Sequence, residues 1–331
     1  MIAAIHRHPV RLLLASAAVV LVLLSIAGPV VASGLLAGWM FCLSIGLGAG
    51  LWLLIGTLTG GNWVESARPA LDKLSRTTPA VAAFGLTLPA AMSALYPWAG
   101  DDARAGTYLS PGFFVARLPF LLLVIAALGL LAPRQRRPLA AALLLLVFAP
   151  VQTLAANDWL LSRDPAFGST IFAAAVTICQ LALAAATVCA MRLSPGRGAA
   201  DWGGLLLAFI VGWAYFSAMQ YLVLWTGNLP ADAAWFAARP AWPVLTTALV
   251  GQLLPFLILL SSELRRRPRM LRIVGMAVLA GGWTQMLSWS SFGSASSVAF
   301  AGLVATLPVG LAAVLMREGI VGRSATDGGA R

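Results

Sequence analysis

The chain has 331 residues, of which 60% are hydrophobic and only 10% charged, and its mean hydropathy is +0.89. A soluble core cannot absorb that much apolar surface, so the composition excludes an ordinary soluble enzyme and predicts a protein dissolved in lipid. A net charge of +11 would suggest a nucleic-acid partner in a soluble protein, but here the placement of the charges assigns them to a membrane surface and no nucleic acid is expected.

The apolar runs are long and uninterrupted rather than alternating, which predicts an all-α polytopic membrane protein and not a barrel. In chain order, helices are expected over residues 10–28, 34–58, 80–98, 112–132, 139–157, 169–190, 202–226, 242–262, 273–290 and 298–316, about ten in all. The first run has no A-x-A-type cleavage site before a soluble segment and leads straight into more membrane, so it reads as a retained helix. The whole chain, 1–331, then forms one integral membrane domain. A first helix (10–28) is followed by one bundle over 34–157, a second over 169–290, a last helix over 298–316 and a short tail over 317–331.

Alternate connections carry the basic residues. One side holds only Arg104, Arg163 and Arg239, with Arg117 inside a helix, while the remaining eighteen of the 22 Lys and Arg fall on the other. The positive-inside rule makes that second side cytoplasmic, which places both termini there and points to a multi-pass protein of the bacterial inner membrane. The Arg265–Arg272 run is accordingly a topology anchor. Along the second predicted helix, Gly34, Gly38, Cys42, Gly46 and Gly50 recur every fourth residue, a stripe that lets another backbone approach. A weak echo links Phe113-Phe114-Val115-Ala116-Arg117 with Trp235-Phe236-Ala237-Ala238-Arg239, as if 34–157 and 169–290 were duplicated four-helix units.

Polar groups near lipid are the candidates for chemistry. Arg117 could orient an anionic or quinone carbonyl group, snorkel outward, or pair with a loop carboxylate. Asp158, beside the interfacial Trp159, could relay a proton or cap the loop after its helix. Ser169 and Thr170 suit the start of the next helix as N-caps. Gln220 and Tyr221, with Tyr215 and Ser217 on the same helix, could hydrogen-bond quinone oxygens or a neighbouring helix, and Gln252 is read in the same way. Trp63, Glu65 and Arg68 read as an interface anchor with a local ion pair. Cys42, Cys179 and Cys189 form no C-x-x-C, and the only histidines, His6 and His8, lie in the N-terminal tail, so no metal or haem ligand set is expected in the chain. No Asp or Glu falls near a helix midpoint, which counts against a proton- or cation-coupled transporter.

At these same motifs the chain resembles the second membrane subunit of alternative complex III, a quinol:electron-acceptor oxidoreductase of the NrfD-like superfamily. The matching text is Leu58-Thr59-Gly60-Gly61-Asn62-Trp63 with Arg68; Tyr108 to Phe114 with Arg117; Asp158 to Pro165 through Ser169-Thr170-Ile171; Leu207-Ala208-Phe209 with Trp213-Ala214-Tyr215; Gln220-Tyr221 through Trp225 to Pro230; and Leu254-Pro255-Phe256 before the basic run. The resemblance implies two four-helix bundles flanked by one helix at each end. It also implies partner subunits that hold haem c and iron–sulfur clusters, while this chain binds no cofactor of its own and contributes at most to a quinone pocket or proton path. Arg117, Asp158, Gln220 and Tyr221 are the expected lining residues. Gln252 stands where the family pattern has a histidine, and Leu287-Ser288-Trp289-Ser290 replaces an Asp-Trp-type pattern. Those departures leave a purely structural anchor as the alternative, with a small-solute transporter behind it.

Overall fold

The computed structural model describes residues 28–61, 63–100, 107–191, 197–291 and 302. Apart from Gly28 and Gly302, the expected helices over 10–28 and 298–316 and the tail over 317–331 lie outside them. The described residues are helical with no strands, and eight helices are long and apolar enough to cross a membrane. The protein is therefore an all-α, multi-pass membrane protein. The spans are α1 (Pro29–Thr59), α2 (Arg68–Leu95), α3 (Pro111–Leu131), α4 (Pro138–Trp159), α5 (Phe172–Ala190), α6 (Arg197–Thr226), α8 (Ala241–Leu260) and α9 (Pro268–Ser290), with a short α7 (Pro230–Ala237) before α8.

Proline and glycine punctuate these helices as their backbone chemistry requires. Pro29, Pro111, Pro138 and Pro268 open helices, where the missing N–H is no loss. Gly60 ends α1 in the left-handed conformation (φ 65°), its N–H reaching the Gly56 carbonyl. Asn228, the non-glycine residue with positive φ (47°) among the described residues, turns the chain between α6 and α7. Gly60 and Asn228, within two of the sequence motifs, thus end their helices.

Several helix starts differ from expectation. α1, α6 and α9 begin five residues early, at Pro29, Arg197 and Pro268, and α2 and α5 depart further in their local chemistry. The second unit of membrane helix begins at Arg68, not at 80, because Pro69 starts a helix that carries Lys73 with it. That span is not continuous: it passes through Thr78–Phe84 into a 3-10 stretch, Gly85–Ala91, where Pro89 cannot donate to the α-helical ladder. At the start of α5, Ser169 and Thr170 do not cap; the helix begins at Phe172 with no side-chain cap bond. Ser169 instead accepts a hydrogen bond from Gln220.

Helix neighbours fall into two rings. α1 packs on α2, α2 on α3, α3 on α4 and α4 on α1; α5 packs on α6, α6 on α8, α8 on α9 and α9 on α5. α1 and α5 join the rings, and α1 also touches α9. Lipid offers helices no hydrophobic drive to associate, so small residues decide how closely these backbones come. At Gly48 an added Cβ would lie 2.1 Å from the Gln180 carbonyl oxygen of α5. Four residues on, the Trp52 indole donates to the Leu181 carbonyl at 2.9 Å. The predicted glycine stripe faces elsewhere: Gly46 and Gly50 seat Thr78 and Ser75 of α2. Gly251 and Gly281 bring α8 and α9 together almost backbone to backbone, and Thr247 there donates to the Gly281 carbonyl at 3.0 Å.

Gly48→Ala forces α1 and α5 apart and destabilises the protein by about 1–3 kcal/mol. Gly112→Ala, where nothing lies within 4 Å of the new Cβ, leaves the unfolding midpoint in detergent unchanged. Equal midpoints for the two variants would contradict this packing.

Candidate functional site

The arginine-poor end of the first ring is built on the bend that follows α4. Asp158 occupies the last turn of α4 and is 1% exposed. Arg117, two turns into α3, meets it in a two-pronged ion pair, Nε to Oδ2 at 2.6 Å and Nη2 to Oδ1 at 2.9 Å. The fixed fork of a guanidinium matches both carboxylate oxygens, which is the strongest form of such a pair. The Tyr108 hydroxyl donates to Asp158 Oδ1 at 3.0 Å, and Arg117 Nη1 donates to the Tyr108 carbonyl at 2.8 Å. The guanidinium also lies over the Tyr108 ring, 4.2 Å from its centroid, and over Phe113 at 4.8 Å.

The backbone beyond Asp158 is held as firmly. The Ser162 hydroxyl donates to the Asp158 carbonyl at 2.6 Å, the Trp98 indole to the Ser162 carbonyl at 3.0 Å, and the Tyr96 hydroxyl to the Trp159 carbonyl at 3.2 Å. Trp159 packs on Trp39 of α1. Arg163, 4% exposed, donates to the Ser33 hydroxyl of α1 at 2.9 Å. Asp158 therefore caps nothing with its carboxylate; both oxygens are taken up by Arg117 and Tyr108. Of the three roles open to Arg117, pairing with a carboxylate is the one present, although the partner lies in the last turn of α4 and not in a loop.

The second ring carries a parallel arrangement. Arg239, just before α8, donates from Nε to the Ser288 carbonyl of α9 at 2.9 Å and from Nη1 to the Trp235 carbonyl, with its guanidinium stacked over the Trp235 ring. Trp289 contacts Phe172 of α5, as Trp159 contacts Trp39 of α1. Arg117 with Asp158-Trp159 and Arg239 with Ser288-Trp289 thus occupy corresponding junctions between third and fourth members. The acid of the first ring is replaced in the second by a main-chain carbonyl. Burial pushes the Arg239 guanidinium down to about 9, opposed by the Asp164 charge, so it remains cationic at neutral pH.

The other predicted residues lie apart. Gln220 donates to the Ser169 hydroxyl at 3.1 Å, and Tyr221, 56% exposed, meets the edge of Phe236. Neither contacts Arg117 or Asp158. Arg163, Ser33 and Arg239 were missed as site residues, although their signal, arginines on a side otherwise almost free of cations, was present in the charge pattern. Arg163 and Ser33 border a cavity of about 910 Å³ that also meets Pro97, Asp164 and Ala238; Arg117 and Asp158 do not line it. At the opposite end, Glu65 and Arg68 form the expected ion pair at 2.7 Å. Trp63 serves as more than an interface anchor: its carbonyl accepts the Trp202 indole N–H and its ring packs edge-on with Trp52 and Trp202. Among the described residues no group of three or more His, Cys, Asp or Glu could hold a metal ion.

Compared with models of protein families the chain matches none, and no curated protein matches it.

Burial, then the Asp158 charge and the hydrogen bond to it, push the Tyr108 phenol up to about 12 from its usual 10, and Arg117 opposes them. Because the folded state holds that proton more tightly, the contribution of Tyr108 to stability is complete below pH 10 and is lost as the pH rises toward 12. Tyr108→Phe should flatten the alkaline decline of the unfolding midpoint in detergent across that window. An unchanged decline would contradict the assignment.

Proposed function

We propose that this chain is a cofactor-free integral membrane subunit of a quinol:electron-acceptor oxidoreductase, working beside partner subunits that carry haem c and iron–sulfur clusters. The observation that carries the reading is the convergence of motifs that resemble that family. Tyr108 to Arg117 and Asp158 to Pro165 are separated by some forty residues yet meet around the buried Asp158 carboxylate, with Arg117 and Asp158 locked at 2.6 Å. The charge asymmetry supports a bacterial inner membrane, with the arginine-rich end and both termini in the cytoplasm. The chain's own polar clusters hold its helices together, as expected of a subunit that presents a framework to redox-active neighbours.

A structural-anchor reading is favoured by one observation: both carboxylate oxygens of Asp158 are engaged, and three of the roughly four hydrogen bonds a carboxylate can accept already serve to hold α3 and the Tyr108 turn to α4. The two readings share the same partners. Gentle solubilisation and pull-down through a C-terminal tag should bring down coloured haem c and iron–sulfur proteins with this chain. A homogeneous, colourless protein would contradict both.

A further inference from the structure

On the outer side of the second ring, α6 and α8 enclose a groove of about 420 Å³, within the size range of small-molecule sites. Its walls are apolar, from Ile210, Ala214, Met219 and Phe256, and it opens past Val211 and Leu253, both largely exposed. Two polar side chains border it. Tyr215 is 56% exposed, and its hydroxyl makes no hydrogen bond among the described residues. Gln252 is only 8% exposed, and its buried Nε2 has no partner there. Gln252 sits in a π-helical stretch, Thr247–Leu253, a local widening that recurs at functional sites.

Depth decides what these groups can meet. By helical rise, Gln252 lies roughly 12–16 Å from either end of α8, in the hydrocarbon of the bilayer. Water is absent at that level, and acyl chains offer no hydrogen-bond partner, so two unpaired polar groups beside one apolar groove are costly unless something fills it. A partner must be apolar enough to reside at that depth, thin enough for a groove floored by Ala214 and Ala218, and equipped with an acceptor for a phenol and a carboxamide.

We propose that the α6–α8 groove binds a flat, carbonyl-bearing apolar molecule dissolved in the membrane, the chemistry of a quinone headgroup. The Tyr215 hydroxyl and the Gln252 amide donate to its carbonyl oxygens, and its tail leaves through the open side into lipid. Choosing a quinone among such molecules rests on the oxidoreductase reading above. The binding groups are then Tyr215 and Gln252, in place of Arg117 and Asp158, which satisfy each other, and of Gln220, which serves Ser169.

The test uses the purified full chain in lipid nanodiscs, titrated with labelled decylubiquinone, with decylbenzene as a competitor of equal tail but no carbonyl. Saturable binding that decylbenzene does not displace is expected. Gln252→Leu and Tyr215→Phe should each weaken it roughly five- to tenfold, the worth of one hydrogen bond, with unchanged helicity and unfolding midpoint. Non-saturable partitioning, or full affinity in both variants, would overturn the proposal. So would a loss seen only in Tyr221→Phe, or a photocrosslinker at position 252 that captures a co-purifying subunit in the native membrane. Because binding is read on the isolated chain, a colourless pull-down with intact binding removes the complex alone. A coloured complex whose chain binds nothing removes this site alone.

Discussion

The closeness of α1 and α5 is the constraint on which the rest of the structure hangs. In lipid, apolar side chains gain nothing by leaving their solvent, so two helices stay together only if their backbones come within dispersion range or exchange hydrogen bonds. Here both happen at one place. Gly48 leaves room for the main chain at Gln180, and the Trp52 indole donates to the Leu181 carbonyl. These two helices are the most enclosed of the spans, and each ring is completed around one of them. α6 stands at the other extreme, with most of its surface turned outward, and it is there that the Tyr215 hydroxyl meets the bilayer.

At the arginine-poor end the same economy governs charge. An isolated guanidinium or carboxylate at the membrane boundary would be expensive, and both rings solve the problem at the junction of third and fourth members. The first ring uses a full ion pair, Arg117 with Asp158. The second uses a main-chain acceptor at Ser288 and the face of Trp235. The asymmetry is chemical rather than architectural: the tryptophan after each partner, Trp159 or Trp289, touches an aromatic ring of the first helix in its ring. The two segments of the faint sequence echo, around Arg117 and Arg239, thus both lie where a third helix meets a fourth.

Hydropathy alone located all eight described spans, because twenty apolar residues in a row have few other uses. The helix ends at Gly60 and Asn228 were legible as well, since only a few residues tolerate the left-handed conformation those turns need. The start of α2 was not. Arg68, Lys73 and Arg76 look like a loop in a charge count, yet a helix can carry such residues where it leaves the bilayer. The pairing of Arg117 with Asp158 crosses 41 positions and two helices, so no local pattern announced it. Ser169 illustrates the opposite error: a good capping residue was recruited by Gln220 on another helix, a competition that only tertiary packing reveals. Tyr215 and Gln252 were visible as polar residues in apolar runs. Their lack of partners was not, because it depends on how α6 and α8 pack against each other and on which side chains that leaves within reach.

The account stands on the first ring being locked by a buried, hydrogen-bonded charge pair at its arginine-poor end. A double-mutant cycle on Arg117→Met and Asp158→Leu, read by reversible unfolding in mixed micelles, tests that directly. Each single change strands a buried charge and should cost about 3–5 kcal/mol, while the double change removes both charges and should cost well below the sum. Strictly additive losses would mean that the two side chains act independently, and the clamp as described would be wrong.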